Sequence, residues 1–291
     1  MNHNDPAWSY AAHRAHETNA KEALPSCYTS PDSIDAWRHE RMYEHLLPLV
    51  KAYPGATWMT IGDGRYGCDA YFLAQHGADV LATSLSDQTL SIAHQRGYIE
   101  KFRADNAERL AAADDSHDFV LCKESYHHFP RQAIAFYEML RVSRRAVILI
   151  EPQETSIKLL DHAKQVIKKV IRHDKTAVFE ESGNFVYKVD IGEIEKMMTA
   201  LNYQMIAVCR FNDFYHPRLS HRPFASRSLP TFITRLGIKV QNLLCRLKTM
   251  DYGLACVVAF KFAPAEDIAR DLRRHGFRLR YLPKNPYLRE A

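Results

Sequence analysis

The sequence lacks several features that would set it apart from ordinary globular proteins. No run approaches the roughly 18 consecutive apolar residues needed to span a bilayer, which excludes a helical membrane domain. No C-x-x-C pair occurs among its six cysteines, Cys27, Cys68, Cys122, Cys209, Cys245 and Cys256. Zinc ligation and disulfides are therefore not expected; reduced, mostly buried thiols are. The first twenty residues are polar and His-rich, unlike the apolar core of a signal peptide. Internal repeats and low-complexity tracts are absent. From Phe214 to Met250 there is not one acid. What remains is a chain of 291 residues with a modest net charge of +5 and ample length for a sizeable core.

One stretch organises the rest. Thr57 to Ile61 is a strand-like apolar run, and Gly62, Gly64 and Gly67 follow with the spacing G-x-G-x-x-G. An apolar helix pattern begins at Ala70. This is the layout of a nucleotide-binding strand–turn–helix. Gly62 takes the sharp turn, Gly64 admits a ligand close to the backbone, and Gly67 lets the helix approach the strand. The helix start then offers unpaired N–H groups to a polar ligand.

Strands and helices alternate downstream. Asp79–Leu85 reads as a second strand, Gln88–Arg96 as a helix, Ile99–Ala104 as a third strand and Asp118–Cys122 as a fourth. A helix follows Pro130, and the near-continuous apolar run Ala146–Ile150 suits a central parallel strand buried on both faces. The alternation predicts a doubly wound α/β sheet, whose ligands bind beyond the carboxyl ends of the strands. Upstream, Asp32–Ala52 reads as one amphipathic helix. It is either a lid, with Trp8 and Tyr10 of the preceding arm as contacts, or a packing helix behind a frayed terminus.

Two nucleotide readings compete. A nicotinamide dinucleotide site would place an acid about 20 residues after the glycines, and Thr83-Ser84 stands there instead. Residues 57–152 resemble the core of the class I S-adenosylmethionine-dependent methyltransferases more broadly. The matches are the glycine loop, Leu85-Ser86-Asp87, Asp105-Asn106-Ala107-Glu108, the stretch Asp118–Phe129 and Glu138–Val142 leading into Ile148–Pro152. The resemblance implies a Rossmann-like sheet of seven strands, the last antiparallel, closing with a hairpin of Tyr203–Phe211 and Tyr252–Phe262. It implies S-adenosylmethionine as cofactor. Gly62, Asp63, Gly64 and Gly67 would line its methionine part, Ser84 its ribose, Leu85 would pack on the adenine, Asp105 would accept from the adenine amino group, Asn106 would be a further cofactor contact, and Cys122 and Lys123 would lie beside the sulfonium. Two positions depart from the family: Thr60 and Ser84 stand where acids are usual.

A hydroxyl acceptor needs a base, and histidine is best tuned for it near neutral pH. His127 and His128 follow the fourth strand and are the candidates for base or substrate orienter; such histidines also cap helices or pack under sheets. Glu124 and Glu151 are candidates to orient a histidine or hold hydroxyls. Tyr126, Glu181, Asn184 and Tyr187 are further candidates on the substrate side. No metal-ligand spacing occurs among these groups.

Residues 1–52 are thus expected to form a helical arm or lid, 53–264 the methyltransferase domain with an insertion at 213–250, and 265–291 a basic tail. A helix is expected over Thr155–Lys175. In the insertion, Phe232, Leu236, Val240, Leu243, Leu244 and Leu247 recur at helix spacing amid Arg218, Arg222, Arg227, Arg235, Lys239, Arg246 and Lys248. Such a helix can lie on an anionic membrane, hold an acidic substrate, or pack on the domain with its charges solvated. The expected function is methyl transfer to a sugar or glycan hydroxyl, on an anionic or lipid-linked acceptor. Methylation of a small molecule of another class, or a cofactor-binding protein without catalysis, are the alternatives. The expected place is the cytoplasm, extending to the inner membrane face through the insertion. No nucleic-acid partner is expected.

Overall fold

The computed structural model of the protein describes residues 7–18, 24–154 and 185–287. The expected helix at 155–175, and Glu181 and Asn184, lie outside the described residues. Five parallel strands form where the apolar runs stood: β1 (Thr57–Ile61), β2 (Asp79–Ser84), β3 (Lys101–Ala104), β4 (His117–Lys123) and β5 (Ser143–Pro152). With β6 (Met205–Phe211), β7 (Leu254–Phe260) and β8 (Arg278–Tyr281) they make one sheet, in the order β3-β2-β1-β4-β5-β7-β6-β8. β7 runs antiparallel to β5 and β6, and β8 antiparallel to β6. The doubly wound α/β sheet holds, and the strand count is corrected from seven to eight. The added strand comes from the Arg-rich segment read as a tail: its Leu279 packs on the core while Arg278 and Tyr281 stay exposed.

The helices are α1 (Ala7–Thr18), α2 (Ser26–Thr29), α3 (Ile34–Tyr43), α4 (Leu47–Ala52), α5 (Cys68–Gln75), α6 (Gln88–Gln95), α7 (Gln132–Val142), α8 (Ile191–Ala200), α9 (Pro217–Ser220), α10 (Leu229–Arg246) and α11 (Glu266–Arg274). Side chains alternate across the sheet with period two. Trp58, Phe119, Leu121, Ile148 and Val258 point to a core closed by Leu49, Leu73, Leu90 and Leu272. Met59, Val120, Val147 and Val257 point to another, closed by Phe136, Met139, Ile194 and Met198. The single helix expected over Asp32–Ala52 is two, joined by a 3₁₀ turn at Glu44–Leu46. Pro48 has no N–H to give to the preceding turn, so it sits in the first turn of a new helix.

Not all the cysteines are free, as had been expected: Cys27 of α2 is disulfide-bonded to Cys68 at the start of α5. No C-x-x-C motif marks the pair; the fold brings together residues 41 apart in sequence. Tyr28 adds to the same contact, donating to the Tyr66 carbonyl at 2.5 Å and stacking on Tyr98. The N-terminal segment is thereby fastened to the glycine loop. Cys122, Cys209 and Cys256 are free and buried.

Register sets the level of the site. Ile61 pairs with Thr83 on one side and Cys122 on the other, so Gly62, Ser84 and Lys123 stand at one level at the carboxyl ends of their strands. Lys123 pairs with Ile150, which brings Glu151 beside Glu124. The strand order reverses between β1 and β4, and ligands bind at such a point.

One packing feature is pH-sensitive. His45 lies against the rings of Phe211 and Phe277. Burial, with help from Arg41 and His275, lowers its pKa from 6.5 to about 4. Between these values the unfolded chain binds the extra proton and the folded one does not. The stability contribution is therefore complete above 6.5 and is lost as pH falls through about 4. Urea midpoints followed across that window should fall less steeply for His45→Gln than for the natural sequence.

Candidate active site

The glycine loop is fixed from three sides. Gly62 has φ +72°, and a Cβ there would lie 2.6 Å from Ser125 Cβ, so both conformation and space require glycine. Ser125 Oγ donates to the Gly62 carbonyl at 2.7 Å, joining the turn after β1 to the turn after β4. At Gly67, φ is +69° and a Cβ would lie 3.0 Å from Ile99 Cγ2, the close helix approach expected of the third glycine. Asp63 is buried and turns away from solvent. It accepts from the backbone of Asp69 (3.2 Å) and Ala70 (2.9 Å), capping α5, and from Thr60 Oγ1 at 3.0 Å. Burial, and then the neighbouring Asp69, push its carboxyl well above the usual carboxylate range. Thr60, at a position where the family usually has an acid, is thus the partner that holds Asp63.

A cleft of about 570 Å³ opens above this loop. Ile61, Leu85, Ala107, Phe129 and Pro130 give it apolar walls; Gly62, Ser84, Asp105, Asn106, Ser125 and His128 give it polar ones. The structure so gathers six of the predicted residues: Gly62, Ser84, Leu85, Asp105, Asn106 and His128. Asp63, Gly64, Gly67, Cys122 and Lys123 are not in its lining. Gly64 accepts from Thr89 Oγ1 through its carbonyl (3.0 Å), and the Cys122 thiol is buried beside Glu151, which with burial raises its pKa. Asp105 is held in the wall by Arg103 (2.7 Å) and by the Ala111 amide (3.1 Å). Tyr10 of α1 completes the rim; it donates to Glu108, and Arg131 donates to it at 3.0 Å.

Glu151 is the centre of the next layer. Its carboxylate, 1% exposed, accepts from the amides of Ser125 and Tyr126 (2.8 Å each) and meets His127 Nδ1 at 2.6 Å. The His127 and His128 rings lie 3.9 Å apart, and the Tyr187 amide donates to the His127 carbonyl at 3.0 Å. Tyr126 is buried, which raises the pKa of its hydroxyl, and it lines neither this cleft nor the next.

Beyond Glu124 a second, wider cleft of about 1170 Å³ is lined by Asp35, Arg38, His39, Arg65, Glu124, Asp213, Tyr215 and His221, among others. Lys123, buried beneath it, lies 3.0 Å from both Glu124 Oε2 and His39 Nδ1, and 3.7 Å from Asp69. Burial disfavours the Lys123 charge, but Glu124 and Asp69 outweigh it and raise its pKa. Burial pushes Glu124 up, but Lys123, Arg65 and Arg38 hold it below the usual range, so it stays a carboxylate. His39 is driven well below 6.5 by burial and then by the same cations, and is neutral. Arg38 donates to Asp213 (2.9 and 3.0 Å) and Asp35 (3.1 Å). Sequence reasoning missed this wall. Its signal was the set Asp35, Arg38, His39: three polar residues at i, i+3 and i+4 on one helix face.

Residues 59–150 match a family model described as a methyltransferase domain. Over this stretch the chain carries a methyltransferase domain, with the Rossmann-like fold of the S-adenosylmethionine-dependent methyltransferases. Solved structures are similar to this methyltransferase. A SAM-dependent methyltransferase from Archaeoglobus fulgidus is 12% identical, with a TM-score of 0.50 over 77% of this chain and 94% of that one. Magnesium protoporphyrin IX methyltransferase from Synechocystis PCC 6803, with bound SAH, is 15% identical (TM-score 0.49, covering 85% and 93%). The YcgJ protein from Bacillus subtilis is also 15% identical (TM-score 0.49, covering 76% and 100%). No curated protein sequence matches the chain. The cofactor of this methyltransferase is S-adenosylmethionine. The first cleft suits it: apolar walls for a base, a hydroxyl and carboxamide for a ribose, and a glycine turn with no room for a side chain.

Gly62→Ala should abolish binding of S-adenosylhomocysteine in calorimetric titration, because the new methyl group forces Ser125 and the turn apart. Unchanged affinity would place the cofactor elsewhere.

Proposed function

We propose that this methyltransferase acts on a hydroxyl of a polyhydroxylated acceptor, a sugar or glycan unit, bound in the second cleft. One observation carries the reading: that cleft adjoins the first across the consecutive residues Glu124 and Ser125, and charged and polar side chains dominate its lining. Carboxylates and guanidinium groups held in fixed pairs offer directed hydrogen bonds to hydroxyls. Arg38 and Arg65 face Asp35, Asp213 and Glu124, so the cleft is balanced in charge and does not select an anion.

Gly62, Ser84, Leu85, Asp105 and Asn106 would hold the cofactor. When bound, S-adenosylmethionine supplies a methyl group already activated by its sulfonium. The protein's share is to align the hydroxyl, exclude water and take up a proton. His128, which lines the first cleft, is assigned the proton. Glu151 and His127 position it: Glu151 holds His127 by Nδ1, and the His127 ring packs on His128. Glu124, kept ionised, is a hydroxyl acceptor rather than a base.

Two measurements test this. Labelled cofactor offered with nucleotide sugars, oligosaccharides, small amines and small aromatics should label the sugars; turnover of an amine or aromatic instead would discard the reading. Glu151→Gln keeps an acceptor for the Ser125 and Tyr126 amides but turns an amide N–H₂ toward His127 Nδ1, which reverses the tautomer. Its kcat should fall about a hundredfold with KM and melting temperature little changed. A large stability loss with unaltered kcat would make the pair purely structural.

A further inference from the structure

The helix of the insertion is inside out. α10 is 18 residues long, about 27 Å, and its apolar stripe faces away from the protein. Leu229, Phe232, Leu236, Val240, Leu243 and Leu247 recur every three or four residues along one side, and each is between 46% and 68% exposed. The opposite, buried side is built from Thr231, Thr234 and Ile238. Directed bonds fix this orientation. Ser228 caps the helix through the Thr231 amide, Thr231 Oγ1 accepts from the Ala225 amide at 3.2 Å, and Asn212 Nδ2 donates to Asn242 Oδ1 at 2.9 Å. Phe214 lies so close that a Cβ on Gly237 would meet its ring at 2.5 Å. Rolling the helix to bury its leucines would break all of these.

We infer that this face of α10 docks on an anionic lipid surface. Charge selects the occupant. Arg235, Lys239 and Arg246 follow one flank of the apolar stripe at i, i+4 and i+11, and no acid occurs anywhere from Phe214 to Met250 to oppose them. A one-sided apolar stripe edged by cations is the pattern of a helix lying in a bilayer interface. Among the described residues no helix is long and apolar enough to cross a membrane, so the attachment is peripheral. The inference does not depend on the identity of the acceptor.

Sedimentation with phosphatidylcholine vesicles, with and without phosphatidylglycerol, tests it. The full chain should bind the anionic vesicles, much less the neutral ones, and be released by salt. Phe232→Ser and Leu236→Ser should each weaken binding about tenfold. Lys239→Glu with Arg246→Glu should abolish the preference for phosphatidylglycerol. All variants should keep the natural melting temperature and affinity for S-adenosylhomocysteine, since these side chains are exposed and none lines either cleft. Failure to bind either vesicle overturns the inference. So does a dimer in sedimentation velocity that Leu236→Ser dissolves, which would give the face to a second copy.

Discussion

A buried carboxylate governs the geometry of this site. Glu151, near the end of β5, is 1% exposed, and among the described residues its partners are the Cys122 thiol and the turn after β4. That turn therefore has one conformation, in which Ser125 reaches the Gly62 carbonyl and His127 is held by Nδ1. The glycine loop, the divide between the two clefts and the histidine pair are thus set by a single group whose alternative is an unpaired charge in the protein interior. Such a group is expensive to leave unmatched, which makes the arrangement specific rather than merely stable.

The second wall depends on the same logic spread over more groups. Asp35, Arg38 and His39 come from α3, Lys123 and Glu124 from the end of β4, Asp69 from α5 and Asp213 from the start of the insertion. Tyr43 bridges to Asp69 at 2.5 Å, with the Lys123 ammonium 5.0 Å from its ring centre. The N-terminal region accordingly builds one wall of the second cleft. Its helix supplies Arg38, which joins Lys123 and Arg65 in keeping Glu124 ionised and, with burial, His39 neutral.

Much of the framework was legible because it rests on local rules. Glycine spacing, strand–helix alternation and apolar runs are written in short windows, and the residues at the strand ends followed from topology. What stayed hidden is non-local or ambiguous in direction. Asp63 looked like a ligand contact, yet caps its own helix, a choice made by bonds to residues six and seven positions on. The Cys27–Cys68 pair and the α3 charges acquire meaning only when distant segments meet. Periodicity showed the stripe on α10 but cannot say which way a stripe faces; the threonines opposite it carried that information. Likewise Arg278-Leu279-Arg280 has the composition of a solvated tail, and one leucine packed on the core makes it a strand.

That last strand and its counterpart at the far side have a shared character. β3 presents Lys101 and Arg103 at alternate positions, and β8 presents Arg278 and Arg280. An open sheet ends in two rows of unsatisfied backbone groups, each a template for another chain. Here the rim cations are already engaged, Lys101 by Asp79, Arg103 by Asp105 and Arg280 by Glu195, so another strand docking on either rim would have to desolvate these pairs. The charged residues that make the last segment look unstructured also make it a poor template for a further strand.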